Sequence, residues 1–392
     1  MTVRLRPAYV AALIAFGITA AASRLHATPY NNYVLLAQAF LHGRPWIDWP
    51  GPYIDALPYA GQYYIIEGPL PAVLLLPFVA LLGGQTNQTL LSAVLAAVAV
   101  GAGWELGERF GVRRANIAWI SAFLLAGTDL LWCAMLGDVW FTAQVAALCF
   151  TLLALLELAG KRRGWLVALW AACAAESRFS MALAIPVYVY LLVASAPASF
   201  LSSRAESRDV VRRLAFVGVL VAVGIVWVLY NLARWGTWND IGYLTWYHQD
   251  RAGMPTGSPF RLEYLPYQLW SFFVQTPTQL SDFPGLRPEI SGVALTWTSP
   301  ALIIAFLARA PSRWVIALWV AALLTAAPNF LYYVNGFAQF GMRHALDFEP
   351  FLVVLMLLAA REGLAWWGRA LILYSCAAGL WGCWYWLTYV RT

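Results

Sequence analysis

RLHATPYNNYVLLAQAFLHGRPWIDWPGPYIDALPYAGQYYIIEGPLP, residues 24–71, separates one apolar run, residues 7–23, from a long series of further apolar runs. The stretch is too rich in Pro, Gly and Tyr, and too polar, to cross a bilayer, because a spanning helix needs about 20 predominantly apolar residues. It carries three acids, Asp48, Asp55 and Glu67, among aromatic rings. A long polar loop of this kind, held against a membrane bundle, is a natural place for chemistry.

The composition agrees with a membrane bundle. Of 392 residues, 61% are hydrophobic and only 11% charged, where soluble domains carry about a quarter; mean hydropathy is +0.65. The chain therefore reads as an all-α integral membrane protein with one polytopic domain over residues 1–392, a first outer loop at 24–71 and a second large one at 234–294. The net charge of +6 is topological and gives no reason for nucleic acid as a partner. Five cysteines lie in apolar segments without CxxC spacing, as small buried hydrophobes do.

Residues 7–23 read as a retained first helix rather than a cleaved leader, since the run exceeds the usual signal core. Residues 71–83 are apolar but short, contain Pro77, and read as an interfacial helix on the outer side. Further crossings are expected near 86–106, 115–133, 140–159, 164–177, 180–196, 214–233, 295–309, 312–331, 344–360 and 369–388, eleven with the first. Under this topology 16 of the 25 basic residues fall on one side, which is therefore cytoplasmic. The N-terminus is then inside, and both large loops face outward from the cytoplasmic membrane.

Candidate functional residues concentrate on the outer side. Asp55, Glu67 and Asp138 are the candidate bases; Asp138 follows the tight Gly137 turn in AMLGDVWFTAQ. A carboxylate beside aromatic rings can serve as a base or ligate a hard cation. Arg178 lies between two short apolar halves, two residues after Glu176, and a charge at membrane depth needs a partner or a function. It is either half of a buried pair with Glu176 or an anion contact, which suits guanidinium on phosphate. In FGMRHALDFEPF, Arg343 and Asp347 are four apart and share a face on an α-helix, which fits a local salt bridge as well as a phosphate-binding arginine held by a carboxylate. The aromatic loop 234–294, with His248, reads as an interfacial belt or a sugar-stacking wall. Tyr64, beside Glu67, is a further substrate contact. No HxxxH or HExxH spacing exists, and no metal ligands are assigned.

Four stretches resemble the bacterial GT-C glycosyltransferases, the polytopic enzymes that include protein O-mannosyltransferases and lipid A aminoarabinose transferases: YNNYVLLAQAFLHGRPW, AGQYYIIEGPLPAVLLLPFVALLG, AESRFSMALAIP and FGMRHALDFEPF. The resemblance is diffuse and covers most of the chain. It implies a polyprenyl-phosphate sugar as donor, transfer on the outer face with inversion, a carboxylate base, Arg178 in the place of the family's basic residue, and Asp138 in the place of its second-loop Asp. The chain departs where the family has an acidic pair after the first crossing: here stand Asn31 and Asn32, which cannot act as general bases at neutral pH and are carried as substrate contacts.

The reading is a membrane glycosyltransferase in which Arg178 and Arg343 hold the donor phosphate and Asp55, or else Glu67 or Asp138, deprotonates a glycan, lipid or protein acceptor hydroxyl. Membrane lipids are partners; a divalent cation is left open, and no organic cofactor is called for. The rivals are a non-enzymatic carrier or assembly protein for envelope polysaccharide, favoured by the missing acidic pair, and a lipid-linked glycan polymerase or ligase. A carrier should show matched halves with broken helices, and none is evident. The topology predicts that an impermeant thiol reagent applied from outside labels a cysteine at Gly61 and not one at Ser207; the reverse pattern contradicts it.

Overall fold

The computed structural model describes residues 6–49, 51, 56–194, 203–250 and 252–390. Asp55, the first-ranked base, lies outside them. Helices dominate, and the only strands among the described residues are two short hairpins. Among the described residues five helices are long and apolar enough to cross a membrane, or six with one bent pair. The chain is thus a multi-pass membrane protein; six shorter apolar helices of 10–17 residues stand beside these among the described residues, where about eleven crossings are expected.

Helix α1 (Pro7–Ser23) leads into the first loop, which holds α2 (Asn32–Leu41) and the hairpin β1 (Leu57–Tyr59) and β2 (Gln62–Tyr64). Ala60 and Gly61 take positive φ between the strands, the turn conformation that matches the twist of a two-residue hairpin. Helix α3 (Leu70–Leu82), with Pro77 inside it, forms from the short apolar run expected at 71–83. Then come α4 (Gln88–Arg109), α5 (Arg114–Ala122), α6 (Leu130–Leu136), α7 (Val139–Leu158), α8 (Gly164–Ser177), α9 (Ile185–Ala194) and α10 (Ser203–Trp235). The second loop holds α11 (Gly242–Gln249), α12 (Leu265–Phe273), the hairpin β3 (Thr278–Gln279) and β4 (Leu286–Arg287), and α13 (Leu295–Thr298). Helices α14 (Ser312–Leu331), α15 (Glu349–Ala359) and α16 (Trp366–Tyr385) complete the bundle.

Helix α7 is apolar on every side, and 83% of its most apolar window is buried, against 11% for α10. An all-round apolar helix belongs at the centre of a bundle, and α7 packs there against α4 and α8. Helix α10 leaves its leucines and valines exposed, the surface a bilayer covers.

Several expected crossings are broken. Residues 115–133 do not form one helix: α5 passes through a π turn at Phe123–Gly127 and bends by 50° before α6. Extended Thr128 makes the break, its hydroxyl donating to the Leu124 carbonyl at 2.7 Å and accepting from the Leu130 amide at 3.2 Å. Residues 180–196 begin as the 3-10 turn Phe179–Ala184, and 295–309 are mostly the 3-10 helix Pro300–Leu307. Residues 344–360 start as the 3-10 turn Arg343–Asp347, because Pro350 lacks the amide an α-helix would need there and instead opens α15.

The loops carrying the basic residues meet at one end of the bundle. Arg109 donates to the Leu156 carbonyl at 2.5 Å, Asn116 to that of Ala360 at 2.9 Å, and Arg361 to that of Ala310 at 3.5 Å. The first loop docks at the other end. Asn87 caps α4 and donates to the Leu25 carbonyl at 2.7 Å. Buried Gln88 accepts from the Tyr33 amide at 3.1 Å and donates to the carbonyls of Tyr30 at 3.3 Å and Gly137 at 2.7 Å, so one amide clamps two loops.

Gly68 closes the docked loop against the end of α8. A Cβ there would sit 2.7 Å from the Glu176 carbonyl carbon and 2.8 Å from the Ser177 oxygen, and backbone cannot yield cheaply. Gly68→Ala is expected to lower unfolding stability by about 1–3 kcal/mol; a neutral result in thermal unfolding would mean the loop is not held there.

Candidate functional site

The docked first loop covers the junction between α8 and the 3-10 turn after it, where the last α-helical residues give way to Arg178. Arg178 is not paired with Glu176. Its Nε donates to Asp347 Oδ1 at 3.2 Å and its Nη2 to Asp347 Oδ2 at 2.9 Å, closing a two-pronged pair across 169 residues. Asp347 is fully buried, and Arg178 keeps 17% of its side chain exposed. Ser180 donates to Asp347 Oδ2 at 2.7 Å, and the Asn329 amide does so at 3.0 Å. Asn329 Oδ1 in turn accepts from Arg178 Nη2 at 3.4 Å. The carboxylate is thus saturated and the arginine held rigid, while Nη1 enters none of these bonds. A guanidinium fixed along one edge and open on the other can receive an anion.

Beside this pair stands Tyr33, fully buried, with a hydroxyl that lacks a hydrogen-bond partner among the described residues. The groups acting on that hydroxyl electrostatically are Glu67, Tyr243, Arg178 and Tyr230, which places Glu67 and Arg178 in one neighbourhood. Glu67 is buried on the last turn of the first loop. Arg234, at the end of α10, forms the adjoining wall. It donates to Asn231 at 2.8 Å, Asp240 at 3.1 Å and the Ile65 carbonyl at 3.3 Å, with its guanidinium 4.1 Å from the Tyr230 ring centre. The arrangement is a polar cluster of one candidate base and two arginines beside the docked first loop.

The other sequence candidates distribute unevenly. Asp138 starts α7 and is buried; it accepts a hydrogen bond from Thr28, so it anchors the first loop as well. Asn32 is fully buried, and neither its amide nitrogen nor its oxygen has a hydrogen-bond partner among the described residues, while Asn31 precedes α2 without a side-chain capping bond. Tyr64 packs in an aromatic cluster with Trp235, ring centres 4.9 Å apart; burial pushes its phenol up from the usual value. His248 is exposed, bonded to the Gly257 carbonyl at 3.0 Å, and is not among the groups of the cluster. Asp48 is exposed and paired with Arg44 at 3.0 Å.

Arg343 and Asp347 do not share a face. In the 3-10 turn residues three apart align, not four, and Asp347 turns to Arg178 while the Arg343 guanidinium lies 5.1 Å from the Phe141 ring centre. Arg343 instead neighbours Asp129, at the break between α5 and α6. Among the described residues no group of three or more His, Cys, Asp or Glu side chains is placed to hold a metal ion.

Tyr33, Ser180, Asn231, Arg234, Tyr243 and Asn329 were not singled out from the sequence. Three of them left a signal there: Asn231 and Arg234 are polar residues closing a long apolar helix, and Asn329 is an amide inside another, positions where an ionisable or amide group needs a stated partner.

Removing one member of the buried pair strands the other charge, at a cost of about 3–5 kcal/mol. Asp347→Leu and Arg178→Leu are each expected to lose that much in unfolding experiments, and the double variant much less than their sum. Additive losses would show that the two side chains act independently.

No protein-family model matches the chain, and no curated protein matches it in sequence. Solved structures similar to it include ArnT from Cupriavidus metallidurans bound to undecaprenyl phosphate, with a TM-score of 0.53 at 16% identity over 89% of this chain. The oligosaccharyltransferase of Archaeoglobus fulgidus in its apo form gives 0.50 at 14% identity over 96%. The chain spans 59% and 55% of the lengths of those two chains. At such identities the likeness is one of fold, and the fold is the GT-C-like all-α membrane architecture expected from the sequence.

Proposed function

We propose that the protein is a membrane glycosyltransferase that moves a sugar from a polyprenyl-phosphate donor to an acceptor hydroxyl on the outer face of the cytoplasmic membrane. The observation that carries this reading is Arg178, pinned by a saturated Asp347, with Tyr33 feeling the charges of both Arg178 and Glu67. The fold adds support, since one structure that shares it holds undecaprenyl phosphate.

In this reading the donor enters from lipid and its phosphate meets the open edge of Arg178, with Arg234 adding positive charge from the adjoining wall. Glu67 takes the proton of the acceptor hydroxyl as its oxygen attacks the anomeric carbon. The bond from that carbon to the phosphate oxygen breaks, and the polyprenyl phosphate leaves with the electron pair. Base catalysis plus charge stabilisation suffices for such a leaving group. Asp55 and Asp138 are the rival bases; the Thr28 bond and the capping position of Asp138 favour a structural role for it. Asn32 offers an amide to sugar hydroxyls. Arg343, set among Asp129 and Phe141, is left out of the phosphate site. The cluster neither requires nor excludes a divalent cation.

The test uses purified protein in lipid nanodiscs, undecaprenyl phosphate as binding probe and a panel of polyprenyl-phosphate sugars as donors. Arg178→Lys keeps charge and loses the two-pronged geometry, and is expected to weaken undecaprenyl phosphate binding by about tenfold. Glu67→Gln is expected to bind the lipid normally and to lose turnover by about a hundredfold to ten-thousandfold. Collapse in Asp55→Asn or Asp138→Asn with an active Glu67→Gln moves the base to that residue. Full turnover in all three variants rejects a carboxylate mechanism.

A further inference from the structure

The end of the bundle away from the first loop carries a groove that the proposed reaction does not use. Two adjoining cavities of about 460 and 340 Å³ share Leu307, Arg309, Ala359 and Glu362 as walls. Arg113 lines the larger and Arg361 the smaller, so three exposed arginines face one glutamate. Nearby basic residues are already neutralised: Arg114 by Glu108 at 3.0 Å, Arg109 by Glu105 at 3.4 Å and Arg163 by Glu157 at 2.8 Å. Among the described residues no acid lies within ion-pair distance of Arg113, Arg309 or Arg361. Arg361 donates to the Ala310 carbonyl at 3.5 Å and so frames the groove.

The rims of the groove are apolar. Leu307 continues into exposed Phe306 and Ile303 along the 3-10 helix Pro300–Leu307, and Trp366, 80% exposed, stands beside Ala365 on the opposite rim. Exposed tryptophans of membrane proteins favour the depth of the lipid headgroups. The groove therefore lies where a lipid-covered surface meets the basic end. Basic pockets between spans at that depth attract anionic headgroups, and guanidinium suits phosphate oxygens.

We propose that this groove binds an anionic glycerophospholipid, its phosphodiester held by Arg113 and Arg309 and one acyl chain lying along Ile303 and Phe306. A free anion would satisfy the arginines and leave the apolar rim uncovered, so the lipid is the occupant that matches both halves of the surface. The site is separate from the Arg178 cluster, and its test needs no transferase activity.

The experiment is native mass spectrometry of the full chain in detergent, titrated with phosphatidylglycerol or with phosphatidylcholine. Wild-type protein is expected to retain phosphatidylglycerol preferentially. The Arg113→Gln/Arg309→Gln double variant is expected to lose that preference, by about fivefold for each arginine. Equal retention of the two lipids by wild type overturns the proposal, as does a double variant that keeps phosphatidylglycerol as tightly. Displacement of phosphatidylglycerol by inorganic phosphate at equal concentration assigns the arginines to a free anion and also overturns it. If the double variant does not purify, rising salt decides with wild type alone: selectivity that falls with ionic strength supports arginine-held headgroups, and salt-independent selectivity contradicts them.

Discussion

A charge inside an apolar bundle has to be matched, and the pairing of Arg178 with Asp347 is the match on which this end of the bundle depends. The two residues lie 169 positions apart. Their pairing ties the end of α8 to the turn that opens α15, and Asn329 and Ser180 bring α14 and the turn after α8 to the same carboxylate. Replacing such a cluster with apolar residues often leaves stability unchanged or improves it. Its presence is therefore weak evidence for stability and better evidence for a site that needs a fixed guanidinium.

The first loop supplies the second half of the arrangement. It is too polar to enter lipid and instead becomes a lid over Arg178, held by Asn87, Gln88, Thr28 and the close approach of Gly68 to the end of α8. The docked loop brings Tyr33 close enough to feel the charges of both Glu67 and Arg178. A carboxylate covered in this way feels nearby charges more strongly than one in water, which is what a base beside a phosphate site requires.

Much of this was legible in the sequence. Charge depletion and long apolar runs gave the class, the clustering of arginines identified one end, and Arg178 stood out because it interrupts an apolar stretch. What the sequence could not give was partnership over distance. Glu176 is two residues from Arg178, yet Asp347 holds it, because spatial neighbours in a bundle come from any helix. Arg343 and Asp347 were read on an α-helical period, and Pro350 imposed a 3-10 turn that separates them. The single crossing at 115–133 hid a break at Thr128 because its composition is apolar throughout. Arg234 was overlooked because it sits where an apolar helix meets a polar loop, and charges there are commonly solvated.

The central claim is that the phosphate of a polyprenyl lipid is received by Arg178 beneath the first loop. A structure of the protein in a lipid nanodisc with undecaprenyl phosphate tests it most directly. The account predicts a phosphate oxygen at about 3 Å from the Arg178 guanidinium, with Glu67 on the same side and the prenyl chain leaving toward lipid. A phosphate bound at Arg343, or only at the Arg113–Arg309 groove, with the space before Arg178 filled by protein alone, would contradict it.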